Sequence, residues 1–231
     1  MLIKTGRWIK KAFIGILLFM LVQVPVLADG YWPWWGETQS DVQVWQHWGA
    51  LIGLTVVVGI VLLIIYKKVN FEDMSVKKIT GSMAVKAMVV AIILVLLEMV
   101  IAVVFSKQPE SENYEIVQLI RSPLGILTLV SSNIVSPVLE ELLFRGVIQS
   151  VLRESLPGVL AIILTNILFA LGHGYQLGST LGIFVVGCGC SWLLIKTKNL
   201  SVPILSHMTI NWLVTLINLV AIELVAEITG F

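Results

Sequence analysis

The chain has 231 residues, of which 58% are hydrophobic and only 13% are charged, and its formal net charge at pH 7 is +1. This composition predicts a membrane protein with several crossings and excludes an ordinary soluble domain. The near-zero net charge and the lack of a basic stripe argue against nucleic-acid binding, so the partner we expect is the lipid bilayer.

The first segment, residues 1–28, combines four basic residues with an apolar run that begins at Ala12. This arrangement is typical of a secretory signal, with the small residue Ala28 at its end, yet the run is also almost long enough to cross a membrane. We favour an uncleaved first transmembrane helix. Residues 29–110 are expected to hold additional transmembrane helices and an external Trp-rich loop, whose rings suit the lipid headgroup layer.

Six more apolar spans follow, at about 49–66, 83–105, 124–148, 157–174, 179–195 and 201–222. Each is expected to cross a hydrocarbon core of about 30 Å. Lysine and arginine cluster in the N-terminal segment and in alternate loops, which places the N-terminus inside. The sequence therefore predicts an all-α, polytopic membrane helical bundle of about seven transmembrane helices. Residues 111–231 form the part that carries the polar motifs.

The fourth span contains the most unusual side chains, because Glu140, Glu141 and Arg145 lie in an otherwise apolar segment. An ionisable side chain at membrane depth costs a few kcal/mol and needs a reason. Glu141 and Arg145 are four residues apart with the acid first, which predicts an ion pair on one helix face. Glu140 lies about 100° around the helix, so we expect it to face something else and to take its partner from another span.

Two other spans each present a polar pair at a spacing of four residues. Phe169 and His173 end the fifth span, and His207 and Asn211 lie in the seventh. Because residues four apart share a helix face, each pair is expected to point in one direction. Glu140 and His173 lie at similar distances from the turn between their two spans, so antiparallel helices would hold them at the same depth.

The rise of a helix nevertheless puts His207 in the inner half of the membrane and His173 nearer the outer end of its helix. Three explanations stay open. The fifth helix is displaced or tilted, Gly172 and Gly174 break it, or the span limits are off by several residues.

The four polar residues suggest a reaction. Glu140 and His173 could hold one water and take its proton, and His207 and Asn211 could direct two N–H donors at one developing oxyanion. This arrangement predicts hydrolysis of a carbonyl bond, with a peptide bond as the favoured target. Three serines precede the site with no histidine near them in sequence, and we expect them to serve packing: Ser131, Ser132 and Ser136.

Together these patterns resemble the three motifs of the CAAX protease and bacteriocin-processing family, also called the Abi or type II CAAX endopeptidase family. The motifs are Glu-Glu-x-x-x-Arg at 140–145, Phe-x-x-x-His at 169–173 and His-x-x-x-Asn at 207–211, in the family's order. The resemblance implies an intramembrane endopeptidase in which Glu140 and His173 activate water and His207 and Asn211 form the oxyanion site. It gives Glu141, Arg145 and Phe169 supporting structural roles.

A catalytic zinc is a second possibility, because Glu140, His173 and His207 satisfy the ligand list of such a metal. The sequence contains no His-Glu-x-x-His pattern, which would place two imidazoles on one helix face. The resemblance also implies a metal-free glutamate mechanism. We therefore favour a reaction without metal or other cofactor.

The compact chain and its basic, signal-like start suggest a bacterial cell membrane and argue against a prenylated CAAX substrate. Of the roles that the resemblance implies, we therefore expect bacteriocin or peptide-pheromone processing, or self-immunity. The expected substrate is a hydrophobic or membrane-tethered peptide. The alternative is a non-catalytic membrane scaffold that regulates a partner such as a sensor kinase. A transporter is a third class, suggested by Glu98 in the third span, but no internal repeat supports it.

Three further polar residues carry smaller predictions. Glu98 is expected to bond a neighbouring helix or to line the substrate route. Asn166 is expected to bond between helices, and His47 is expected to be solvated in the external loop.

Overall fold

The computed structural model describes residues 2–26, 41–69, 75–105 and 117–229, and seven helices make up most of these ranges. Most of the predicted Trp-rich loop lies outside the described residues. The helices are α1 (Leu2–Val26), α2 (Asp41–Val69), α3 (Gly81–Phe105), α4 (Gly125–Arg153), α5 (Gly158–Leu171), α6 (Leu177–Thr197) and α7 (Ser201–Thr229).

Five of these helices, α2, α3, α4, α6 and α7, are long and apolar enough to cross a membrane. Their many exposed apolar side chains form the lipid-facing surface expected of such a bundle. The predicted all-α, polytopic membrane architecture is therefore confirmed, and the chain is an integral membrane protein.

The remaining two apolar segments are shorter than predicted: Phe13–Val26 in α1 and Gly158–Leu171, which is the whole of α5. The 14 residues of α5 rise about 21 Å, less than a core of about 30 Å. Pro157 precedes its first turn, where the fixed φ of proline suits a helix start. At the other end Gly174 has φ +70°, a left-handed conformation that glycine adopts without strain.

His173 therefore lies in the turn that follows α5 and not within a helix. Of the three explanations for its depth, the structure contains two: the glycine break, and a span limit that lies three residues beyond the end of the helix. Because His173 lies in a turn, the rise per residue of a helix does not determine its depth. The depth difference from His207 that regular helices predict therefore does not apply.

The central helix, α4, is irregular, and its irregularity surrounds the two glutamates. An α-helical turn, Ser136–Glu141, lies between two π-helical segments, Ser131–Val135 and Leu142–Ile148. Ser136 donates its backbone N–H to the Ser131 carbonyl, five residues back, so the next such bond would come from Pro137. Proline has no N–H, and the Ser132 carbonyl is left without that partner. Such π-segments occur frequently at functional sites.

The largest core cluster surrounds α4. Its buried residues include Leu143 and Phe144 of α4, Leu18 of α1 and Leu62 of α2. A second cluster joins α3, α6 and α7. The segment of α4 that carries the two glutamates contributes its apolar side chains to the first cluster.

His47 is buried, with 1% of its surface exposed, so the prediction of a solvated histidine is wrong. His47 lies one turn before Leu51 on the same face of α2. Because Leu51 packs against Leu127 of α4, that face points into the bundle.

Candidate active site

A cavity of about 430 Å³ lies in the bundle and is lined by side chains from six of the helices and from the turn after α5. It brings together all four residues predicted to be catalytic: Glu140, His173, His207 and Asn211. Phe169 also lines the cavity. Glu141 and Arg145 do not; their side chains are fully buried behind its wall.

Glu140 is held at the cavity wall by two neighbours. The Ser136 hydroxyl, four residues earlier on α4, donates a hydrogen bond to Oε1 of Glu140. The other oxygen, Oε2, lies 3.8 Å from Nε2 of His207. The prediction that Glu140 has no partner on its own helix is therefore wrong, because a spacing of four brings a serine hydroxyl to it.

Glu141 makes the predicted ion pair, with its Oε1 3.2 Å from Nη1 of Arg145. The same oxygen lies 3.0 Å from Nδ1 of His207. A carboxylate can only accept, so the Nδ1 atom of His207 carries a proton and its Nε2 atom is turned toward Glu140. One imidazole thus lies between the two adjacent glutamates, of which Glu140 faces the cavity and Glu141 faces Arg145.

Arg145 is the centre of a buried polar network between α4, α5 and α6. Its Nη2 atom donates to Oδ1 of Asn166 at 3.0 Å and to the Gly187 carbonyl at 3.1 Å. Asn166 donates in turn to Ser191 of α6 at 2.9 Å, which confirms its predicted interhelical bonding. The Ser191 hydroxyl donates to Gln149 of α4 at 2.8 Å. These bonds fix the depth and rotation of the segment that carries both glutamates.

Phe169 separates the two imidazoles and also contacts the arginine. Its ring centroid lies 4.8 Å from that of His173 and 5.8 Å from that of His207, with both pairs edge to face. The Arg145 guanidinium lies 4.3 Å from the same ring, within the range of a cation–π contact. The ring therefore contacts three polar groups at once.

His173 is oriented by its own turn. Its Nδ1 atom lies 2.8 Å from the Phe169 carbonyl, which can only accept a hydrogen bond. Nδ1 therefore carries the proton in this contact, and Nε2 is the ring atom left for the cavity.

Asn211 does not present both of its N–H groups to the cavity. Its Nδ2 atom donates at 2.9 Å to the Ser132 carbonyl, the group that lost its helical partner to Pro137. This bond joins α7 to the irregular part of α4. Any role of Asn211 toward an oxyanion therefore falls to its second N–H.

Three side chains were suggested as zinc ligands: Glu140, His173 and His207. Within the part of the chain that the structure describes, no group of three His, Cys, Asp or Glu side chains is arranged to hold a metal ion. This applies to the set Glu140, His173 and His207, in spite of the 3.8 Å between two of its members. The two cysteines, Cys188 and Cys190, are free thiols.

Sequence reasoning overlooked Ser136 as a cavity residue and Glu141 as a partner of His207. The first had a signal, because Ser136 and Glu140 have the same spacing of four as Glu141 and Arg145. The second contact joins α4 to α7, and no spacing within one helix could have revealed it.

The fold and the cavity together define an integral membrane protein with acidic and imidazole groups gathered inside a helical bundle. Residues 122–213 match the family model described as type II CAAX prenyl endopeptidase Rce1-like. The matched segment includes all seven motif residues. The chain is therefore similar to Rce1-like endopeptidases over these residues, and the resemblance predicted from the motifs is confirmed.

Two curated bacterial proteins are similar to the chain. One is the "Putative membrane peptidase YdiL" of Bacillus subtilis (strain 168), 31% identical over 116 residues, which are 50% of this chain and 47% of that protein. The other is an "Uncharacterized 24.3 kDa protein" of Escherichia coli, 38% identical over 90 residues, which are 37% of this chain and 42% of that protein. The chain thus aligns with less than half the length of each relative. No solved structure matches it.

Proposed function

We propose that the protein is an intramembrane endopeptidase that hydrolyses a peptide bond of a membrane-associated peptide or protein. The observation that carries this proposal is the meeting of Glu140, His173 and His207, from separate segments of the Rce1-like region, at one cavity inside the bundle. A carboxylate and two imidazoles are suited to proton transfer with water.

In the proposed reaction Glu140 takes a proton from a water that His173 also holds through Nε2. The water oxygen attacks the carbonyl carbon of the substrate, and the carbonyl oxygen becomes an oxyanion. When the C–N bond breaks, the proton passes from Glu140 to the leaving nitrogen. One water is consumed, and a carboxyl group and an amine are produced.

His207 and Asn211 stabilise the oxyanion in this proposal. Since Nδ1 of His207 donates to Glu141, the ring can donate to an oxyanion from Nε2 only when it carries both protons. Glu141 then acts as a positioning residue, because it accepts one of the two N–H groups and fixes the direction of the other. Asn211 contributes the N–H that Ser132 does not use.

The proposed mechanism has no metal-dependent step, as the family resemblance implies. The substrate class that suits a cavity at membrane depth is a hydrophobic or membrane-tethered peptide. Maturation of a bacteriocin or peptide pheromone, or self-immunity, are the roles that we propose for such cleavage.

The test is cleavage of internally quenched hydrophobic peptides by the purified chain reconstituted in lipid, compared with Glu140→Gln. The proposal predicts turnover by the wild type, unchanged by a chelator, and a loss of about 10²–10⁴-fold in the variant. A variant that folds and cleaves at the wild-type rate would overturn the role of Glu140. Loss of turnover in chelator, with recovery on adding zinc, would overturn the metal-free mechanism. A cellular phenotype that persists in Glu140→Gln would favour the scaffold alternative.

A further inference from the structure

We propose that Glu98 of α3 forms a cation subsite in the cavity that binds a basic side chain of the peptide substrate. This inference rests on the proposed function and deepens it by naming a substrate feature. Glu98 lies outside the segment 122–213 that matches the family model, so the subsite would distinguish this chain from a general Rce1-like domain.

The position of Glu98 on α3 points it into the bundle. The buried residues of α3 are Ala87, Ala91, Leu94 and Val95, and Glu98 follows Leu94 by four positions. Residues at this spacing share a helix face, so Glu98 continues the face that packs against α6 and α7. Its side chain lines the cavity that also holds Glu140 and His207.

The neighbouring helix leaves space for this carboxylate. A Cβ atom added at Gly182 of α6 would lie 2.9 Å from Cγ of Glu98, a distance that Cβ atoms in proteins essentially never show. Glycine at this position therefore allows α3 and α6 to approach with the glutamate between them. Any larger residue there would move the Glu98 side chain.

Among the described residues, Glu98 has an electrostatic interaction with the His207 imidazole but no lysine or arginine partner. Within the described ranges it has neither a hydrogen bond nor an ion pair, and the lining of the cavity contains no lysine or arginine. The buried Arg145 is already shared by Glu141 and Asn166. Lys86 of the same helix is exposed and lies three turns away.

A carboxylate at membrane depth without a partner is costly, and a ligand cation would supply what the protein does not. The two carboxylates of the cavity differ in this respect. Glu140 accepts a hydrogen bond from Ser136 and lies 3.8 Å from His207. Glu98 makes no hydrogen bond to either of these residues. Glu140 therefore suits the reaction, and Glu98 suits recognition of an ammonium or guanidinium group.

The experiment measures binding, so that it does not depend on turnover. Two hydrophobic peptides, identical except for lysine in one and norleucine in the other, are titrated into the full chain in nanodiscs of zwitterionic lipid. We expect the wild type to bind the lysine peptide about tenfold more tightly, as a charge-assisted contact allows. Glu98→Gln should remove this preference and leave the affinity for the norleucine peptide unchanged.

Two further variants make the result specific. Glu154→Gln removes a carboxylate that pairs with Lys11 on the exposed surface, and it should keep the full lysine preference. Gly182→Ala keeps the Glu98 carboxylate but displaces it, and it should reduce the preference.

An equal lysine preference in the wild type and in Glu98→Gln, or no preference in the wild type, would overturn the subsite. Cleavage that depends on Glu140 without any lysine preference would reject the subsite alone. Lysine-selective binding that depends on Glu98, in a chain that cleaves nothing, would retain the subsite and reject the proposed endopeptidase.

Discussion

Glu140 and Glu141 are adjacent and chemically identical, yet the structure predicts opposite results when each is changed to glutamine. Glu141 and Arg145 are fully buried and paired, and Glu141 also accepts from His207. Glu141→Gln leaves the arginine charge uncompensated in the interior. Loss of one partner of a buried ion pair costs about 3–5 kcal/mol.

Glu140 is less enclosed, with 12% of its side chain exposed, and its hydrogen-bond donor is the Ser136 hydroxyl. The carbonyl oxygen of a glutamine accepts the same hydrogen bond. Glu140→Gln should therefore cost less than about 1 kcal/mol, a typical net value for one hydrogen bond.

The assay is thermal unfolding of the wild type and the two variants in the same detergent. For a chain of this size each kcal/mol shifts the melting temperature by about 2–4 °C. Glu141→Gln should therefore melt about 6–20 °C lower, and Glu140→Gln should stay within about 4 °C of the wild type. Equal melting temperatures for the two variants, or a larger drop for Glu140→Gln, would refute the assignment of one acid to structure and the other to chemistry.

Three further predictions use the same preparations. Gly187→Ala places a Cβ atom 2.4 Å from Oδ1 of Asn166, so it should lower the free energy of unfolding by about 1–3 kcal/mol. Gly59→Ala is the control, because no atom lies within 4 Å of its new Cβ, and it should not lower this free energy. Equal melting of these two variants would contradict the close packing at α6. Asn211→Leu removes the donor to the Ser132 carbonyl and should cost about 1–3 kcal/mol in thermal unfolding; unchanged melting would show that this carbonyl needs no partner. Ser136→Ala should lower the rate of peptide cleavage by much less than the factor of about 10²–10⁴ expected for a missing general base. A decrease of that size would show that the serine is a reacting group.

Much of the site could be predicted because its residues follow helical spacing. The spacing of four gave the Glu141–Arg145 pair directly, and the three motifs identified the side chains that meet at the cavity. Hydrophobic spans gave the all-α membrane fold, because a helix satisfies its own backbone groups in lipid. These inferences need only the rotation and rise of one regular helix.

The remaining features depend on how helices sit against each other or depart from regularity. The contact of His207 with both glutamates requires the rotation of α7 relative to α4. The π-segments on either side of Ser136–Glu141 are departures from regular helix that the spacing of hydrophobic residues does not predict. α5 is short because a glycine turn follows it. The left-handed residue of that turn, Gly174, cannot be recognised from the pattern of hydrophobic residues.

The measurement that most directly tests the central claim is single-turnover cleavage in ¹⁸O-labelled water that contains hydroxylamine. Direct attack by water held by Glu140 predicts one ¹⁸O atom in the new carboxyl group and no hydroxamate product. A covalent acyl intermediate on Ser136 or another side chain would be captured by hydroxylamine. A peptide hydroxamate among the wild-type products would therefore contradict the mechanism.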